Sequence, residues 1–463
     1  MEVSRNFGGA RALGAGVAAR LTATIAGLGG CCVFAASPAL AADLPSRTAA
    51  PSAPGLAVCD ISGFVGFTLP GSDTCLRLGG YVATGVSMGT LTKQYGLQFN
   101  GTPATATRVT LAEITPVNQR DSFGFLGHVQ LSFDARSNTA YGPARAYAEL
   151  LFNQTSGFES SANGGVLNVG YLQWAGLTGG KAPSFFSYLA GGPAWYDFYS
   201  PDRFNGNQPV LFAYTATMGA VSATFSLEDP FGAQVNNTIN GVASNAYFGN
   251  RFPDLVAAVR YEQTWGSAQL SGALHNTHVT GVSGDSTDRW GEALLGGVTL
   301  NLPGGGGDRV AVQGVYSHGA LGYSGLNNTA WSPFDQGLNI NGNGAIFQLT
   351  DALNYDTGQW AIPTTWSVSA LARHYFTPEF SLSPEAAFAS ITYSGSPIMI
   401  SRHATSWVVG ATASYAPVPH LGVSLGAIYQ ATQQDAPVNY VGPEPFHARS
   451  SGVAATLQIV RDF

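Results

Sequence analysis

Charged residues make up only 10% of this 463-residue chain, and many stand at alternate positions within apolar runs. Between Phe123 and Arg136, the residues Phe125, Gly127, Val129, Leu131, Phe133 and Ala135 form one set, and His128, Gln130, Ser132, Asp134 and Arg136 the other. Ala144, Ala146, Ala148, Leu150 and Phe152 likewise alternate with Arg145, Tyr147 and Glu149. Arg77, Arg260, Arg309 and Arg373 hold the polar register of comparable segments. Guanidinium groups buried without partners are costly, whereas guanidiniums beside water stay solvated and set up a field. The chemistry on offer is electrostatic steering, not bond making.

Patterns that make and break bonds fail on inspection. Pro303-Gly304-Gly305-Gly306-Gly307-Asp308 lacks the Gly-Lys-Ser/Thr that a phosphate loop needs, and Gly180-Lys181-Ala182 fails for the same reason, so both read as turns. His275 and His278, three apart on a strand, point to opposite faces and do not converge on a metal. No Gly-x-Ser-x-Gly elbow occurs. Glu292, Asp285 and Asp288 could serve a barrel enzyme at its strand tips, although carboxylates there are usually just solvated. Neither a metal nor a cofactor is expected. A net charge of −7 offers no basic footprint for nucleic acid.

Alternating faces require strands. Low charge, 59 glycines, 11% aromatics and a mean hydropathy of only +0.09 describe a chain whose apolar residues are interleaved with polar ones. Beyond the N-terminus no run reaches the roughly 20 apolar residues of a membrane helix. The composition fits an all-β transmembrane antiparallel barrel. Read backward from Phe463, the expected strands are 450–463, 421–432, 405–416, 380–393, 364–376, 309–318, 290–301 and 267–278. The series continues with 254–264, 221–228, 208–218, 177–182, 166–174, 142–155, 123–136 and 74–89. This is a barrel of about 16 strands with long outer loops and short periplasmic turns, both termini being periplasmic. Segment 319–363 is expected to be one large outer loop, with a hairpin of its own near Ala345 to Asn354.

Residues 1–42 read as an export signal, with Arg5, Arg11 and Arg20, an apolar run from Leu21 to Phe34, and the small-x-small site Ala39-Leu40-Ala41. An N-terminal anchor and a lipidated Cys31 are the alternatives; the run is short and glycine-rich, and apolar sequence continues past Cys31. Removal of the signal leaves 17 basic against 26 acidic residues, a net charge of −9, with 43–58 as a flexible lead and 59–463 as the barrel. Only Cys59 and Cys75 remain, and an isolated pair in an exported protein is most simply a disulfide, worth roughly 3 kcal/mol in the chain-entropy model.

Val58-Cys59-Asp60 and the block Leu69-Pro70-Gly71-Ser72-Asp73-Thr74-Cys75-Leu76-Arg77-Leu78-Gly79-Gly80-Tyr81-Val82 resemble the start of the alphaproteobacterial general-diffusion outer-membrane porins. Trp174 to Lys181, Ser184-Phe185-Phe186 and Trp366 to Pro378 are similar to the same family. Phe463 closes the chain as in such barrels, although Arg461 stands where an apolar residue is usual. The resemblance implies a passive water-filled channel for small hydrophilic solutes and ions, assembled as a homotrimer among outer-membrane lipids and lipopolysaccharide. It also implies that the third outer loop narrows each pore. Segment 183–207 falls at that loop and carries Phe185, Phe186, Tyr188, Trp195, Tyr196, Phe198, Tyr199 and Phe204, too many rings for a loop in water. These rings either cover a subunit interface or, as the family implies, anchor the loop on the wall so that Asp197 and Asp202 face the arginines. A barrel enzyme and a plugged structural or adhesive barrel are the competing classes. A gated receptor of about 22 strands plus a plug does not fit the length.

Overall fold

The computed structural model describes residues 57–89, 94–99, 109–115, 121–157, 163–189, 208–230, 238–239, 242–243, 251–280, 286–303, 306–324, 351–354, 360–394, 402–435 and 449–463. Strands of the wall are β1 (Cys75–Gly89), β2 (Phe123–Thr139), β3 (Gly142–Thr155), β4 (Gly164–Trp174), β5 (Leu177–Lys181), β6 (Val210–Met218), β7 (Val221–Glu228) and β8 (Asp254–Gln263). They continue as β9 (Gly266–Thr280), β10 (Ser286–Asn301), β11 (Arg309–His318), β12 (Pro363–Tyr375), β13 (Phe380–Tyr393), β14 (His403–Val418), β15 (Leu421–Gln434) and β16 (Arg449–Asp462). Each pairs antiparallel with its neighbours, and β16 returns to β1 from Ala454↔Gly89 to Asp462↔Tyr81, closing the ring. The sequence expectation of sixteen strands matches these segments, with ends differing by a few residues.

Connections alternate as the pattern requires. Tight turns join β2 to β3, β4 to β5, β6 to β7, β8 to β9 and β14 to β15, and the opposite ends carry the longer segments. At Ala175-Gly176 both residues have positive φ (50° and 86°), the geometry that lets a two-residue turn follow the twist of its strands. Within 319–363, Leu321–Ser324 forms a single 3-10 turn, and Leu353–Asn354 pairs with Trp360–Ala361. Residues 345–350 of the hairpin expected there lie outside the described residues.

Period-two alternation sorts the wall into two faces. Leu78, Val82, Phe125, Phe133, Phe212, Leu270, Leu294, Val312, Leu425 and Leu457 are exposed on the outside. Facing inward are Ser87, Asp134, Ser226, Gln269, Ser271, Gln313, Ser369, Ser383, Ser424 and Thr456, all largely enclosed by their neighbours. Aromatic pairs border the outer apolar band: Tyr141–Trp174, Tyr261–Trp265 and Phe376–Phe380 at the turn end, Trp366–Phe388 and Trp407–Tyr429 nearer the loops. Such belts mark the two interfaces of a bilayer. Arg461 faces outward at the turn end, where its guanidinium donates to the Pro419 carbonyl at 2.9 Å, outside the apolar band.

Ahead of the wall, Val58–Ile61 and Phe64–Thr68 form a small hairpin that continues onto the first residues of β1 through Phe67↔Leu76 and Thr68↔Cys75. A disulfide joins Cys59 to Cys75 with Cα atoms 5.8 Å apart, and Ile61 and Phe64 pack around the buried Cys75. The processed protein is expected to take up no alkylating label until reductant is added, and then at two thiols. Labelling of untreated native protein contradicts the bridge.

Candidate functional site

Each of the six arginines singled out by the alternation lies in the inward register of its strand, opposite the exposed apolar set. Three converge on one carboxylate. Arg136 donates through Nε and Nη2 to Asp134 at 3.2 and 3.0 Å, and Arg145 does the same at 2.9 and 2.9 Å. Arg77 approaches the same carboxylate at 3.8 Å but keeps 58% of its side chain exposed, whereas Asp134 keeps 4%. Two-pronged guanidinium–carboxylate pairs are the strong kind, so Arg136 and Arg145 are fixed and Arg77 is the outlying charge. Register explains the grouping: Arg77 sits opposite Asp134, and Arg145 sits opposite Arg136. Above them, Tyr147 donates to Glu149 at 2.9 Å, and Asn168, an extra residue in β4 at a register shift, donates to the other Glu149 oxygen.

Across the lumen, Arg309 and Arg373 are direct cross-strand partners, and Arg373 Nε donates to Ser383 at 3.3 Å. Like charges opposite one another destabilise a sheet unless they are screened, so this pair suits a water-lined face. Arg260 lies 3.4 Å from Glu262, with its guanidinium 5.4 Å from the Tyr188 ring centre. At the neighbouring turn, the Tyr375 amide (2.8 Å) and His374 (2.6 Å) hold the Asp308 carboxyl below the ordinary carboxylate range.

The chain leaving β5 crosses the inner face. The Phe185 amide donates to Glu228 at 3.1 Å, and Gln269 Nε2 lies within 3.2–3.3 Å of the carbonyls of Phe185, Phe186 and Ser187. Phe186 is buried against Val256, Ala273, Leu295, Val315 and Tyr323. The Tyr188 hydroxyl lies 2.8 Å from the Thr299 hydroxyl and 2.9 Å from the Ser267 carbonyl, and the Leu189 amide donates to Gln313 at 3.1 Å. Of the aromatics read in this segment, Phe185, Phe186 and Tyr188 are therefore on the lumen side of β8–β11. Asp197 and Asp202, with Trp195, Tyr196, Phe198, Tyr199 and Phe204, lie outside the described residues.

A second anchor was not apparent in the sequence. His275 is fully buried, with Nδ1 2.8 Å from Asp254 and Nε2 3.5 Å from Asp351. Tyr323 donates to the other Asp254 oxygen at 2.7 Å, and Asp351 accepts the Leu321 amide at 2.5 Å. Burial, then the nearby carboxylates, pushes the Tyr323 phenol well above its usual range. Because Tyr323 meets Phe186 edge-on at 4.7 Å between ring centres, the segment after β11 and the segment after β5 brace each other. As the spacing required, His278 faces away from His275 and pairs with Asp288 at 3.0 Å. Glu292 faces outward, paired across strands with His318, and Asp285 lies outside the described residues.

The profile of a family described as Porin subfamily matches residues 49–450. This chain belongs to the porins. Porin Omp2b of Brucella neotomae is 26% identical over 375 residues, covering 77% of this chain and 89% of that protein, and Porin Omp2b of Brucella suis biovar 1 is 26% identical over 379 residues. The fold is similar to that of the outer membrane channel DcaP of Acinetobacter baumannii, with a TM-score of 0.59 at 13% identity over 86% of this chain and 99% of that one. The porin is thus an outer-membrane β-barrel that works as a passive diffusion channel, and the polar inward face is its lumen.

Asp134 is the residue on which one quadrant of that lumen depends. Asp134→Asn is expected to destabilise the refolded porin by about 3–5 kcal/mol in urea titration, as removal of one partner from an enclosed ion pair does. Arg77→Gln, at longer range and more exposed, is expected to cost under about 1 kcal/mol. Equal effects of the two substitutions contradict this division of roles.

Proposed function

We propose that this porin passes small hydrophilic solutes and ions through a lumen narrowed by segment 183–207, sieving by size and weakly by charge. The observation that carries the reading is the strapping of residues 184–189 onto the inner wall by Gln269, Gln313, Glu228 and the Ser267–Thr299 pair. In this reading the remainder of the segment, held at its start, continues within the bore. Asp197 and Asp202 then present carboxylates toward Arg77, Arg136, Arg145, Arg260, Arg309 and Arg373. Rows of opposite charge orient dipolar solutes and retard apolar ones, while the remaining gap sets the size limit. With a mature charge of −9, the ion preference is weak and leans to cations.

The same reading makes the protein a channel and not an enzyme. It also makes it a homotrimer: Ala144, Ala146 and Ala148 give β3 a small outward face, the kind that permits close approach between membrane segments. Replacing Asp197 and Asp202 with Asn is expected to move the zero-current potential in a salt gradient toward anions, and deleting residues 190–207 to raise the single-channel conductance. If neither quantity changes in folded protein, the segment is not in the pore.

A further inference from the structure

β1 pairs with β2 down to Cys75↔Arg136, but its backbone bonds to the C-terminal strand end where Gly80 and Phe463 exchange both amides and carbonyls, at 3.2 and 3.0 Å. The first five residues of β1, 75–79, therefore project past the end of the C-terminal strand, leaving a step in the wall at the turn end of the barrel. The hairpin 58–68 attaches to that free edge through Phe67↔Leu76 and Thr68↔Cys75. It does not simply extend the sheet. Its Phe64 ring, buried to 4% exposure, lies 4.0 Å from the Arg136 guanidinium and 4.6 Å from that of Arg77. Both arginines are on the lumen face, so the hairpin folds back over the inside of β1 and β2. Cys75 shares that inward register, and the bridge to Cys59 ties the outer strand of the hairpin to the same face.

We infer that this disulfide-tied hairpin is a second narrowing of the channel, on the periplasmic side and separate from segment 183–207. Sixteen strands about 4.8 Å apart and tilted by about 40° enclose a bore of roughly 30 Å between backbones. A strand layer packed face to face on the wall stands about 10 Å from it. The hairpin thus takes up a substantial part of the mouth on the β1–β2 side. Its hold is threefold: the cystine, the short ladder to β1, and the stacking of Phe64 on two guanidiniums, a contact that gains strength where water is excluded. Stacking also fixes Arg136 from the lumen side while Asp134 holds its edge, and it covers one face of the more exposed Arg77. The periplasmic mouth is thereby given a fixed shape and a fixed charge position, and Phe64 is a residue that sets its width.

The inference rests on the channel reading above, and the test separates the two. Full-length processed porin, Phe64→Ala with the bridge intact, and Cys59→Ser/Cys75→Ser are refolded, checked for the heat-modifiable migration of a closed barrel, and recorded in planar bilayers. Poly(ethylene glycol) of graded size is added to one compartment at a time. Both variants are expected to conduct more than the native channel, and to admit larger polymers from the periplasmic side with unchanged exclusion from the outer side. Phe64→Ala keeps the covalent tie, so it stands as the test if the double variant does not assemble. A native channel that conducts, with a folded variant matching it in conductance and in periplasmic polymer exclusion, overturns the hairpin's role alone. A native protein that does not conduct overturns the channel reading itself.

Discussion

Everything in this molecule follows from closing the sheet. In a bilayer no water is available to backbone groups, so each amide and carbonyl in the spanning region must find a partner within the protein. The pairing of β16 with β1 over nine residue pairs removes the last free edge. Once the ring is closed, the strand's two-residue repeat has no freedom left: one set of side chains meets lipid and the other meets the bore. Apolar residues on the outer set and serines, threonines, glutamines and arginines on the inner set are what that geometry demands.

A polar bore of this diameter would pass almost any small solute. Residues 184–189 and 320–324 return to the inner face and are fastened to the inward side chains. Gln269 is an instructive device, because one amide nitrogen lies within hydrogen-bonding reach of three successive carbonyls of the segment after β5. The cluster of His275, Asp254, Asp351 and Tyr323 does the same for the segment after β11. Buried polar groups are costly without partners, and here most of the polar groups that fasten the loops to the wall pair with one another. The two returning segments then support one another through Phe186 and Tyr323.

The wall was legible in the sequence because its rule is local. Alternation over nine or ten residues identifies a strand, and the same alternation places Arg136, Arg145 or Arg373 on the inner face. Which charges meet depends on register between strands, and that is set by turns such as Ala175-Gly176 and not by composition. Asp134 could be placed inward from its neighbours, but not at the centre of three guanidiniums. The spacing of His275 and His278 shows only that the two do not share a metal. Around His275, the residues Asp254, Asp351 and Tyr323 come from three distant parts of the chain, and no periodicity links them. The hairpin before β1 was hidden for a similar reason: the two cysteines announced a tie, while its direction into the lumen depends on Phe64 reaching arginines that belong to the wall.

The central claim is that the inner face of this barrel encloses continuous water from one side of the membrane to the other. Single-channel recording of the native porin in planar bilayers, over a series of salt concentrations, tests it directly. The account predicts discrete steps whose conductance rises in proportion to the conductivity of the bulk solution, as for ions moving through water. An absence of steps, or a conductance that saturates at low salt as in a pore with a tight binding site, contradicts it.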